Sequence, residues 1–119
     1  GELVGWRYWE LRAGILYSPM MGTRWLPHKV MEGEPSSREM SGVNAYKRPE
    51  QVDLQWPYEI GVIGSVDMWG NVIEYEYGYR AEFASVRSLE KLVTVGICPP
   101  VPEGFLDDAR RNYGVLENG

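Results

Sequence analysis

The sequence predicts an α+β, mainly β domain: a twisted antiparallel sheet, built from an amino-terminal hairpin and a three-stranded meander, with a carboxy-terminal helix covering part of it. Three observations lead there. From Glu59 to Ala84 apolar and polar side chains alternate with the period of two of a half-buried strand. Glycines at positions 14, 70 and 78 interrupt aromatic-rich segments where reversals are needed. Near the end, Phe105, Leu106, Ala109 and Tyr113 fall on one helical face. Closure of the sheet toward a small barrel is compatible with the same pattern. A chain of 119 residues suffices for one hydrophobic core, so residues 1–119 are read as a single domain.

The elements follow in order. Val4 to Leu11 mixes Trp6, Tyr8 and Trp9 with Arg7 and Glu10, a composition that favours strand. Arg12-Ala13-Gly14 reads as a three-residue loop closed by a left-handed glycine, with Ile15-Leu16-Tyr17 returning as partner strand. Pro19, Gly22 and Pro27 then leave room only for short extended pieces around Arg24–Leu26 and Lys29–Met31. Glu32 to Ser41 is polar and reads as a surface loop, Gly42 to Tyr46 as a short strand, and Pro49 to Val52 as one helical turn with proline at its first position.

Gly70-Asn71 has the composition of a two-residue hairpin turn. Pairing outward from it sets Trp69 opposite Val72, Met68 opposite Ile73, Asp67 opposite Glu74 and Val66 opposite Tyr75. Val66, Met68, Ile73 and Tyr75 would then share one face, and a one-residue slip would mix the sets. Gly78 marks a second reversal, after which Tyr79, Ala81 and Phe83 alternate as a third strand. Ser85 to Ile97 fits both periods: Val86, Leu89 and Val93 have helical spacing, while Val93, Val95 and Ile97 alternate. The final helix has Asp107 and Asp108 early, Arg110 and Arg111 late, and Gly114 where the chain should leave it.

Charge narrows the function classes. A net charge of -5 and a pI near 4.9 repel phosphate backbones and anionic membranes, so no nucleic-acid or membrane partner is expected. No apolar run approaches the roughly 20 residues that span a bilayer, and no basic segment leads into an apolar stretch at the amino terminus. Cys98 is the only cysteine, which excludes an internal disulfide and points to the cytoplasm. One cysteine and one histidine, His28, cannot complete an ordinary zinc cage, and no phosphate loop, nucleophile elbow or dinucleotide fingerprint appears; no metal, cofactor or catalytic residue is expected.

Four segments carry a resemblance: Gly5-Trp6-Arg7, Gly64-Ser65-Val66-Asp67-Met68-Trp69-Gly70, Gly78-Tyr79-Arg80-Ala81-Glu82 and Tyr113-Gly114-Val115. In this order they resemble an uncharacterised family of small bacterial and phage-encoded domains. The most specific part is the Trp-Gly turn followed by Gly-Tyr-Arg-Ala-Glu. The resemblance implies a bacterial or mobile-element origin and brings no activity with it. Related sequences often carry cysteines before a glycine in the middle segment, where this chain has Glu39-Met40-Ser41-Gly42, so a thiol or metal role does not carry over.

The candidate binding residues are Arg80, Trp69, Tyr79, Asp67 and Glu74. Arg80 reads either as an anion- or partner-contacting arginine on a rigid strand or as the ion-pair partner of Glu74 or Glu82. Asp67 and Glu74, opposed in the proposed hairpin, would repel each other, which can raise one pKa of the pair, unless Arg80 or solvent compensates. Five tryptophans and eight tyrosines supply core area, and any left exposed suit a protein interface. The leading expectation is a non-enzymatic protein-binding or regulatory module, with a homo-oligomer left open. The alternative is a small-molecule-binding domain or hydrolase with Asp67, Glu74 and Arg80 in one pocket.

Overall fold

In a computed structural model, which describes residues 3–19, 22–33, 42–53, 60–94 and 100–116, the aromatic run at the amino terminus forms strand β1, Leu3–Arg12. It reverses onto β2, Ile15–Tyr17, with Arg12 paired to Ile15 and Leu11 to Leu16. The loop thus holds two residues rather than three. Ala13 and Gly14 both take positive φ, 48° and 78°, the twist a two-residue hairpin needs. Short strands β3, Arg24–Trp25, and β4, Met31–Glu32, follow, then β5, Val43–Tyr46, and a single 3-10 turn over Pro49–Gln51. Most of the loop expected up to Ser41, as well as Trp56 and Cys98, lies outside the described residues.

The centre of the fold is a long hairpin of β6, Ile60–Glu74, and β7, Gly78–Thr94. This corrects the expected meander locally. Gly70-Asn71 does not reverse the chain; Trp69 pairs with Phe83 and Val72 with Ala81, so two residues of β6 stand opposite the single Glu82. Gly70 is left-handed, φ 80°, and the Asn71 N–H donates to Glu82 Oε1 at 3.1 Å, the signature of a glycine bulge. Reversal occurs over Tyr75–Gly78, where the Tyr75 N–H donates to the Gly78 carbonyl. Val66 and Met68 are buried as expected, but Tyr75 at the hairpin end is exposed and Ile73 only half-buried. The ambiguous stretch after Ser85 is strand as far as Thr94.

β6 pairs antiparallel with β1 from Leu3–Met68 to Glu10–Gly61, and β7 pairs on its other side with β5 and β4. A single rung, Trp6–Tyr46, joins β5 back to β1. The ring β1-β6-β7-β5 therefore closes unevenly, as a barrel-like sheet. Two further register shifts, at Ile63/Gly64 and Ser65/Val66, bend the hairpin enough for this closure. Inside lie Trp9, Leu16, Trp25, Val62, Val66, Ala81, Ala84 and Leu89. Gly61 is occupied by close approach rather than by a ligand: a Cβ there would overlap the Tyr8 ring.

The helix α1, Phe105–Asn112, ends as its sequence indicates. Gly114 is left-handed, its N–H donates to the Arg111 carbonyl and that of Val115 to Arg110. Arg110 Nε donates to the Leu89 carbonyl at 2.8 Å, and Asn112 Nδ2 to the Gly14 carbonyl at 2.9 Å. Between these, the buried Tyr113 hydroxyl accepts from the Leu16 N–H at 2.9 Å and donates to the Trp25 carbonyl. Leu16 and Trp25 are register partners, so the phenol completes a rung between β2 and β3. Burial raises the Tyr113 pKa, which keeps that proton in place. Tyr113→Phe removes both of these buried hydrogen bonds and is expected to lower stability by about 2 kcal/mol or more in urea denaturation; an unchanged midpoint would show that the rung contributes nothing.

Candidate functional site

A groove of about 840 Å³ opens on the surface between the β1–β2 side of the sheet and the end of the long hairpin. Its lining includes Arg7, Ser18, Trp25, Tyr46, Tyr79 and Arg80, with Asn44 from β5 and Glu32 and Glu76 among its acids. A concavity of this size with aromatic walls and few polar groups has the character of a binding site.

Arg7 is its most distinctive residue. On β1 it alternates with Trp9 and Leu11, which both belong to the core, so its stem starts from the inward face of the strand. The guanidinium lies over Trp25, 4.6 Å from the ring centroid, and 5.4 Å from that of Trp9. Trp9 and Trp25 meet edge to face at 5.3 Å, giving the cation a rigid backing. Nη1 donates to the Asn44 carbonyl at 3.0 Å and Nη2 to Ser18 Oγ at 3.1 Å. Ser18 Oγ also accepts from Trp25 Nε1 at 2.9 Å. Nε is sealed from solvent and donates to nothing among the described residues. No carboxylate of the described residues pairs with Arg7. Burial lowers its pKa to about 10, so at neutral pH it remains a cation.

The five residues named from sequence separate. Tyr79 and Arg80 line the groove, with Arg80 stacked over Tyr75 at 4.9 Å. Asp67, Glu74 and Trp69 do not line it. Because Gly70 makes a bulge and not a turn, Asp67 and Glu74 never face each other: Asp67 pairs with Val4 and Ser85, Glu74 with Tyr79. Asp67 lies 3.6 Å from Arg87, and Glu74 accepts from Lys47 Nζ at 2.7 Å. Trp69 stacks on Phe83 at 5.8 Å and stays 42% exposed.

Sequence reasoning missed Arg7, Ser18 and Trp25. The available signal was an arginine at an inward position of an alternating aromatic strand. Ser18 and Trp25 carried no comparable mark, because a hairpin and a three-strand path bring them to Arg7.

Among the described residues no group of three or more His, Cys, Asp or Glu could hold a metal ion, and no helix is long and apolar enough to cross a membrane. No protein-family model, curated protein or solved structure matches the chain.

Proposed function

We propose that this domain is a non-enzymatic protein-binding module whose partner docks in the groove around Arg7, with Tyr46, Tyr79 and Arg80 contributing to the contact. The observation that carries this reading is the Arg7 cation, which no carboxylate among the described residues pairs, lying over Trp25 in the wall of a concave aromatic surface. Arginine, tryptophan and tyrosine are the residues that most often anchor protein interfaces. The rim continues onto the hairpin end, where Tyr75 and Tyr77 are exposed. A single cysteine is consistent with a cytoplasmic setting.

An arginine kept for binding should cost the free domain stability. Its folded pKa lies below the unfolded value, so the folded state holds the proton less tightly. The penalty is therefore present through neutral pH and fades only as pH rises past about 10. Methionine fills similar volume against the indole without a buried charge. Arg7→Met is therefore expected to melt at or above the wild-type temperature while losing partner capture from source-organism lysate about 30-fold, equivalent to ~2 kcal/mol. Undiminished capture by a folded Arg7→Met would refute the groove as the docking site, and a large loss of stability would make Arg7 a structural residue.

A further inference from the structure

The hydrogen bonds around Arg7 indicate what chemistry the groove receives. A guanidinium carries five N–H donors. Nη1 and Nη2 each commit one, to Asn44 and Ser18, so each keeps one more. Ser18 Oγ accepts from both Arg7 and Trp25, which fills its two lone pairs and leaves its own hydroxyl proton to donate. Uncommitted donors of a cationic fork and of a hydroxyl thus stand side by side in the wall, with Nη2 and Oγ 3.1 Å apart and the Trp25 ring 4.6 Å from the guanidinium carbon.

We propose that Arg7 and Ser18, backed by Trp25, form a carboxylate-binding site that receives an aspartate or glutamate side chain of a protein partner; this rests on the binding-module reading above. A carboxylate is planar, acceptor-only and able to take two parallel N–H donors from one arginine, and its remaining lone pairs suit the Ser18 hydroxyl. Its single negative charge matches the single positive charge of Arg7. A dianionic phosphate matches less well, because Glu32 and Glu76 also line the groove and the chain as a whole is at -5. Those same acids favour apolar or basic residues on either side of the bound acid.

The test is selection of a displayed random-peptide library on the wild-type domain, on Arg7→Met and on Ser18→Ala. Wild type is expected to enrich peptides sharing one Asp or Glu with apolar or basic flanks. Arg7→Met should lose that acid preference at least 10-fold, and Ser18→Ala, which covers the case of a poorly folded Arg7→Met, should weaken it about 5-fold. Glu→Gln in the best peptide should weaken binding to wild type about 10-fold by tryptophan fluorescence. Enriched peptides with no shared acid, or an acid preference that survives both substitutions, would overturn the carboxylate site and leave the binding-module reading standing. Failure to enrich any peptide would overturn both. Inorganic phosphate shifting the Arg7 Nε–H resonance more strongly than acetate would also overturn the carboxylate assignment.

Discussion

Val66→Asp should unfold this domain. Val66 is wholly inaccessible to solvent, sits in the middle of β6 and is flanked by Gly5 of β1 and Val86 of β7. An aspartate there would place a carboxylate in the apolar core, in contact with neither water nor a cation. Such a group either stays charged at a cost of several kcal/mol or takes up a proton and still lacks hydrogen-bond partners. A domain of this size is commonly stable by only 5–15 kcal/mol, so the expected result is loss of the cooperative thermal transition at neutral pH. Retention of a near-native melting temperature would show that the side chain points away from the core and that the β6 register is wrong.

Gly64→Ala should be nearly as damaging although it adds one methyl group. An ideal Cβ at Gly64 would lie 2.1 Å from the Ser88 carbonyl oxygen and 3.1 Å from the Leu89 Cα. Both are main-chain atoms of the neighbouring strand, so no rotamer change can relieve the overlap; β6 and β7 must separate at the Ile63/Gly64 bulge. Because Gly64 is also the register partner of Arg7, the displacement would reach the groove. A loss of about 3 kcal/mol or more in denaturant unfolding is expected, in the range of an overpacked core. Gly22→Ala is the control: nothing among the described residues lies within 4 Å of an added Cβ, and its φ of 64° opposes the change by about 1 kcal/mol. Equal losses for the two would show that backbone conformation, and not close approach, accounts for Gly64.

Both substitutions bear on which features can be seen in a linear chain. Strand and helix periodicity, the left-handed glycines and the helix ends are local properties, set within a few residues by side-chain direction and backbone sterics. The β1–β2 hairpin, β5, the turn at Pro49, the strand leading through Val66 and the helix with its Gly114 exit were legible for that reason. The Gly70-Asn71 pair was legible only as a place where the backbone needs a positive φ. A two-residue turn and a glycine bulge both meet that requirement. The choice lies in whether Val72 pairs back on Trp69 or onward to Ala81, and the length and partners of β7 decide it. With the bulge, Asp67 and Glu74 pass to separate neighbours, Arg87 and Lys47, and the pair of opposed carboxylates disappears.

The groove has the same origin. By itself the sequence determined a mainly β, acidic chain rich in aromatic side chains, and it placed Tyr79 and Arg80 on a strand that does reach the groove. Only the tertiary structure decided that Arg7 turns inward beside Trp9, that Ser18 and Trp25 meet it across two reversals of the chain, and that no described carboxylate stands opposite. A charge and its partner are recognised by distance in space, and closure of the sheet sets that distance between residues 11 to 37 positions apart in the chain.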